Sequence, residues 1–132
     1  MIVLDASATV DLLADRNNAG WVEGRLLDGT PDLVAPQLLD VEVLSGLRGL
    51  ALAGLLPPKK AKAALERFGD LGVTLYPHQP LLDRAWQLRD RLTAYDAVYL
   101  VLAEVLEAPL LTTDGRLART AKRYVPVLTP VG

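Results

Sequence analysis

The 132-residue sequence has no cysteine and only one histidine, His78. The absence of cysteine excludes disulfide bonds, thiolate metal sites and cysteine nucleophiles. A single histidine, in the proline-rich stretch of residues 76–80, excludes zinc sites that need several imidazole ligands. Any catalytic or metal-binding site in this chain must therefore be built without thiolates and without paired imidazoles.

Long apolar runs and a strong excess of one charge are also missing. No apolar segment reaches the ~18 residues that span a bilayer. The first residues have the pattern of a strand and not of a basic leader. We therefore expect a cytoplasmic protein without a membrane span or a signal peptide. The formal net charge of −2 gives no overall attraction to nucleic acid. It does not exclude RNA, because a bound metal ion locally reverses the sign of an acidic pocket.

What the sequence has in abundance is short apolar segments, within an overall hydrophobic content of 51%. A chain of this length is expected to form one domain, residues 1–132, with a substantial core. Apolar runs at strand spacing alternate with runs at helical spacing. The strands are predicted at residues 2–4, 33–35, 73–76, 110–112 and 126–128, and the helices at 8–14, 20–27, 37–53, 58–68, 81–92, 95–106 and 116–124. This alternation predicts an α/β fold whose parallel sheet is covered on both faces.

Four acidic residues adjoin these apolar segments: Asp5, Glu42, Asp96 and Asp114. Asp5 and Asp114 each follow a predicted strand, and ligands of parallel sheets bind beyond the carboxyl ends of the strands. Glu42 and Asp96 lie in apolar helical segments, where a carboxylate is costly unless it is paired, hydrogen-bonded or bound to metal. Four carboxylates brought together by the fold would repel one another until a cation such as Mg²⁺ or Mn²⁺ binds.

Each of these acids except Glu42 also has a purely structural interpretation. Asp5 is a candidate N-cap of the first helix, although Ser7 competes for that position. Asp114 precedes a glycine and fits a turn or an N-cap. Thr93 and Asp96 fit a capping box, with Thr93 as the N-cap. Glu42 has no such interpretation, because it lies inside a helix with apolar neighbours.

Four segments, in chain order, carry a resemblance to a known family: residues 2–7 with Asp5, residues 36–48 with Glu42, residues 93–99 with Asp96, and residues 110–118 with Asp114. Together they resemble the PIN-domain ribonucleases, particularly the VapC-type toxins of bacterial toxin–antitoxin pairs. Any one segment is a weak signal, but four in sequence at sensible intervals are fairly specific. The match extends over nearly the whole chain.

The resemblance implies a three-layer α/β/α sandwich with a mostly parallel sheet, a homodimer, Mg²⁺- or Mn²⁺-dependent cleavage of RNA, and inhibition by a cognate antitoxin. It assigns Asp5, Glu42, Asp96 and Asp114 as the catalytic, metal-binding acids. The hydroxyls of Ser7 and Thr112 are candidates for orienting a carboxylate or a water, with capping or a local turn as the alternative. Some family members have a further acid after the fourth. Here residues 115–117 are Gly-Arg-Leu, so a second metal ion is expected to be held weakly or largely by substrate phosphate.

Positive contacts for RNA are expected on the helix that follows Asp114. Arg116 and Arg119 are the favoured phosphate ligands, because this helix starts beside the predicted site. The basic residues between 84 and 91 are a third possibility, and those between 59 and 67 fit a solvated helix face.

Two other functions stay open at this point. Residues 5–10 loosely resemble the nucleophile loop of haloacid-dehalogenase-type phosphatases, but Ser7 stands where that family has its second aspartate. A catalytically degenerate chain that only binds an antitoxin is the second alternative. Binding of Mg²⁺ or Mn²⁺ discriminates the latter from the ribonuclease.

Overall fold

The segments predicted as strands pair into one five-stranded sheet, and every pairing is parallel. The computed structural model describes residues 1–131. Its strands are β1 (Ile2–Leu4), β2 (Leu33–Pro36), β3 (Thr74–Tyr76), β4 (Leu110–Leu111) and β5 (Val127–Leu128), in the spatial order β3-β2-β1-β4-β5. The helices are α1 (Ala6–Leu13), α2 (Ala19–Leu27), α3 (Leu38–Leu52), α4 (Pro58–Asp70), α5 (Leu82–Gln87), α6 (Ala94–Leu106) and α7 (Gly115–Ala121).

Side chains alternate across the central strand β1 and so build a core on each face of the sheet. Ile2 and Leu4 join a cluster with residues of α1 and α2, including Val22. Val3 faces the other way, into a larger cluster that contains the buried segment 97–103 of α6 and the apolar side of α3. Helices therefore cover both faces, and the predicted α/β/α sandwich is confirmed. Within residues 1–131, no helix is both long enough and apolar enough to cross a bilayer.

The order of the strands creates a crevice at the centre of the sheet. From β1 the chain runs outward through β2 to β3, and it then returns to place β4 on the opposite side of β1. In parallel α/β sheets, such a reversal of strand order opens a crevice beyond the carboxyl ends of the two central strands. Here those ends are Leu4, followed by Asp5, and Leu111, followed by Thr112.

The elements differ from the predicted ones mainly at helix ends. The helix predicted over residues 81–92 is a 3₁₀ turn at Gln79–Leu81 followed by the six-residue α5. After α5 the backbone tightens, since the Leu88 and Arg91 amides donate to carbonyls three residues earlier. The helix predicted over residues 116–124 ends at Ala121, and Tyr124 N donates to the Ala121 carbonyl in the same kind of turn.

Candidate active site

Asp5 is the most buried carboxylate at the crevice, with 3% of its surface exposed. It is the N-cap of α1, because its Oδ1 accepts a hydrogen bond of 2.9 Å from the Ala8 amide. The helix begins at Ala6, so Ser7 is not the cap. Burial raises the pKa of Asp5 to about 7, against opposing hydrogen bonds from Thr112, Ala8 and Ser7.

Two hydroxyl groups hold the Asp5 carboxylate. Ser7 Oγ lies 2.9 Å from both Asp5 oxygens, and Thr112 Oγ1 donates to Oδ2. The same hydroxyls accept backbone bonds from the next loop: Thr113 N donates to Ser7 at 3.1 Å and Asp114 N donates to Thr112 at 3.0 Å. The network fastens the end of β1 to the end of β4. Both residues predicted to support a carboxylate therefore contact Asp5.

Asp114 is the N-cap of α7, as its structural interpretation predicted. Its Oδ1 accepts from the amides of Arg116 at 2.9 Å and Leu117 at 3.4 Å. Its charge nevertheless acts on its neighbours, since it contributes to the raised pKa values of both Asp5 and Asp96. Capping and membership of an acidic cluster are thus compatible at this position.

Asp96 lies in the first turn of α6. The Thr93 hydroxyl accepts a 3.1 Å hydrogen bond from the Asp96 amide, which confirms Thr93 as the N-cap. The Asp96 side chain is half-buried, and its pKa is raised first by burial and then by the charge of Asp114, while Arg116 lowers it. Asp96 and Arg116 line the same small surface cavity.

Glu42 enters the site from α3. It is half-buried and lines a surface hollow together with Ser7 and Asp11. Its Oε1 accepts a 2.7 Å hydrogen bond from the hydroxyl of Tyr99 on α6. Burial raises the pKa of Glu42, with a further contribution from the charge of Asp96. Burial and the neighbouring carboxylates raise the pKa of Tyr99 as well, so this phenol remains protonated and donates.

The four predicted acids form one electrostatic chain. Asp114 acts on Asp5 and on Asp96, and Asp96 acts on Glu42. Within residues 1–131, however, no three acidic or histidine side chains converge closely enough to hold a metal ion together. The carboxylates therefore act on one another in pairs, as mutually repelling charges.

The chemistry of these side chains fits a hard divalent cation. Every candidate ligand atom is an oxygen, which suits Mg²⁺ or Mn²⁺, and Mg²⁺ needs only one or two carboxylates because it retains several waters. The only histidine is used elsewhere: His78 Nε2 accepts a 2.8 Å hydrogen bond from the Leu38 amide and so anchors the start of α3.

Three neighbouring residues were not predicted from the sequence. These residues are Tyr99, Asp11 and Thr113. Thr113 Oγ1 donates a 2.8 Å hydrogen bond to Asp11 Oδ2, and the Asn18 side-chain amide donates to the same oxygen. Asp11 is half-buried. Helical spacing carried a usable signal, because Asp11 is four residues after Ser7 and Tyr99 is three residues after Asp96.

The predicted phosphate ligands Arg116 and Arg119 are exposed on α7. Arg116 is close enough to Asp96 to lower its pKa. Arg84, in the alternative basic group, is instead paired with Glu104 by two hydrogen bonds of 3.0 and 3.1 Å. In the group at residues 59–67, Lys62 pairs with Glu66 on an exposed helix face.

Comparison with known proteins decides the family. The PIN domain family model matches residues 2–123. The chain is 40% identical over 127 residues to VapC ribonuclease Mb0985 of Mycobacterium bovis, covering 96% of each protein. It is 43% identical over 118 residues to ribonuclease VapC1 of Mycobacterium tuberculosis, covering 88% of this chain and 87% of the relative. This chain is a PIN-domain protein of the VapC family.

A solved structure agrees with that assignment at the level of the fold. PAE2754 from Pyrobaculum aerophilum superposes on this PIN-domain chain with a TM-score of 0.68 at 24% sequence identity, covering 96% of this chain and 87% of that one. The family resemblance drawn from the four acidic segments is confirmed. The comparisons support neither the phosphatase nor the degenerate binding module.

Proposed function

We propose that this VapC-family protein is a metal-dependent ribonuclease that hydrolyses RNA phosphodiester bonds and acts as the toxin of a toxin–antitoxin pair. Relatives that align over most of the chain are named as ribonucleases. The single observation that carries the proposal is the electrostatic chain of four carboxylates around the crevice between β1 and β4. Neighbouring carboxylates favour the binding of a divalent cation, and a bound divalent cation in turn favours the binding of a phosphate group.

In this proposal Asp5, Glu42, Asp96 and Asp114 are the acids that would hold Mg²⁺ or Mn²⁺, with one or two of them contacting the ion directly and the others acting through its waters. When bound, the cation supplies an activated water and neutralises charge that develops on the phosphoryl oxygens. Ser7 and Thr112 keep Asp5 oriented through the hydrogen bonds described above. Asp114 caps α7 through Oδ1, which leaves its Oδ2 for the site. The exposed Arg116 and Arg119 contact the RNA backbone.

The partners are proposed on the same basis. A VapC-type toxin is expected to bind a cognate antitoxin and to form a homodimer. Large apolar side chains left exposed in the single chain support a protein-binding surface, among them Val41 and Leu44 on α3 and Trp86 on α5. The mass of the purified protein in solution tests the homodimer.

The substitution Asp96→Asn tests the ribonuclease. It retains the Thr93 cap, which uses the Asp96 backbone amide, but removes a charge that the cation needs. We expect RNA cleavage in Mg²⁺ or Mn²⁺ to fall by roughly 100-fold or more with the folded state preserved. Asp90→Asn, at an exposed position outside the site, is the matched control. Full cleavage by folded Asp96→Asn, or by the wild type in excess chelator, would contradict the proposal.

A further inference from the structure

Tyr99 is a buried phenol that uses its hydroxyl to bridge two helices of the site. Only 2% of its surface is exposed, and its hydroxyl donates to Glu42 Oε1 at 2.7 Å. A buried tyrosine needs a hydrogen-bond partner, which a nearby backbone carbonyl often provides. Here the partner is a carboxylate on α3, while Tyr99 belongs to α6. The bond therefore connects the helix that carries Glu42 to the helix that carries Asp96.

The position of Tyr99 places this hydroxyl among the predicted acids. Tyr99 follows Asp96 by three residues, so the two lie on the same side of α6. The charges of Glu42, Asp5 and Asp96 all contribute to the raised pKa of Tyr99. Within residues 1–131, no other tyrosine hydroxyl is hydrogen-bonded to an acidic side chain. Tyr124, for example, accepts a hydrogen bond from Arg91, and the Arg84 guanidinium lies over its ring.

We propose that Tyr99 is a positioning residue: its hydrogen bond to Oε1 fixes the Glu42 carboxylate so that Oε2 is the oxygen turned toward a divalent cation. The inference rests on the proposed function. Its chemical consequence is selectivity, because a carboxylate held to present one oxygen suits the octahedral coordination of Mg²⁺. Ca²⁺ accepts two oxygens of one carboxylate in a larger and more flexible shell, and so gains less from the restriction.

The test is Tyr99→Phe, which removes the hydroxyl and keeps the ring that packs in the core. Chelator-treated wild type and variant are titrated with Mg²⁺ alone and with Ca²⁺ alone, and affinities are obtained from the rise in Tm. We expect the variant to bind Mg²⁺ 10- to 100-fold more weakly, as is typical when a partner of a metal ligand is removed. Its Ca²⁺ affinity should change less, so the Mg²⁺/Ca²⁺ ratio falls.

Two further variants separate positioning from a merely structural role. Tyr76→Phe removes a phenol on the edge strand β3 and should leave both affinities unchanged. Glu42→Gln removes the carboxylate through which Tyr99 acts. In that background Tyr99→Phe should cause no further loss of Mg²⁺ affinity, whereas two independent effects would multiply.

The outcomes for Tyr99 and for the ribonuclease are distinguishable. Unchanged Mg²⁺ affinity in Tyr99→Phe, or an equal loss of Mg²⁺ and Ca²⁺ affinity, overturns the role of Tyr99 even if the wild type cleaves RNA. A wild type that neither binds Mg²⁺ nor cleaves RNA overturns the proposed function itself, and with it the inference.

Discussion

At the scale of single residues, Asp5 combines a structural and a chemical role in one carboxylate. Its Oδ1 caps α1, and its two oxygens together accept from Ser7 and Thr112. These neutral donors compensate burial only in part, because the pKa of Asp5 still rises to about 7. Ionised Asp5 is therefore a source of instability that a bound cation is expected to relieve.

The stability of the folded protein should depend on pH through Asp5. A raised carboxyl pKa means that folding takes up a proton between the unfolded value of 3.8 and about 7. The stabilising contribution is complete below the unfolded pKa and is lost as pH rises through the folded one. From pH 5 to pH 8 in chelator, the free energy of unfolding should fall by about 3 kcal/mol through Asp5. Urea unfolding at several pH values measures the change.

The variant Asp5→Asn isolates this effect, because asparagine does not ionise. The free energy of unfolding of the variant should fall less between pH 5 and pH 8, because the contribution of Asp5 is absent. The difference in this free energy, variant minus wild type, should therefore increase with pH. Added Mg²⁺ should reduce the decline in the wild type and have little effect on the variant. An identical loss of stability in both proteins between pH 5 and pH 8 would show that Asp5 is not the responsible group.

The placement of the four acids around the crevice was predictable from the sequence, but not all of their hydrogen-bond partners were. Asp5 and Asp114 follow apolar strands, and Glu42 is a charge inside an apolar helix, so position alone distinguished them. The Tyr99–Glu42 and Thr113–Asp11 hydrogen bonds join residues 57 and 102 positions apart. Their partners are set by the tertiary packing of helices and loops and not by local spacing. Such pairs become visible only in three dimensions.

At the scale of elements, the position of Glu42 depends on how closely α3 approaches α1. The point of approach is Gly46, one turn after Glu42: a Cβ built there would lie 2.8 Å from Cγ2 of Val10. Because valine has few accessible rotamers in a helix, it has little room to move away. The missing side chain of Gly46 therefore sets the distance between the helices that carry Glu42 and Ser7.

Substitution of Gly46 tests this close approach. Gly46→Ala gains about 1 kcal/mol of helix propensity but incurs about 1–3 kcal/mol of overpacking, so we expect a net loss of stability. Gly49→Ala, on the same helix with no atom within 4 Å of the new Cβ, should be stabilising instead. Denaturant midpoints give both values.

The double variant Val10→Ala, Gly46→Ala completes the comparison. Removing the valine methyls should relieve the clash, so the two substitutions should be less damaging together than the sum of their separate effects. Simple additivity, or equal effects of alanine at positions 46 and 49, would contradict the proposed close approach.

Element types were more predictable than element ends. The strands and helices follow from apolar periodicity, which local sequence carries. The ends of α5 and α7 depend on turns whose residues also suit a helix. The N-cap residue was predictable where the sequence offers a single candidate, as with Thr93 before α6. It was ambiguous at α1, where Asp5 and Ser7 were both candidates and Asp5 is the N-cap.

At the scale of the whole molecule, a chain of net charge −2 has to bind a polyanion if the proposed function holds. The fold offers a local solution. The crevice between β1 and β4 gathers the acids, and α7 begins at its edge with Arg116 and Arg119 exposed. With a cation bound, the acidic crevice and the basic helix would present one favourable surface to a phosphate backbone.

The dependence of RNA binding on salt measures this surface. In the Asp96→Asn background, which limits cleavage, the logarithm of the association constant should fall linearly with the logarithm of salt concentration. Changing both Arg116 and Arg119 to Ala should make that slope shallower by about 0.7 for each phosphate of a single strand that the variant no longer neutralises. Lys59→Ala with Lys62→Ala removes the same charge from α4 and should leave the slope unchanged. Because both double variants alter net charge equally, a general charge effect would change the two slopes alike and would contradict binding of phosphate specifically by α7.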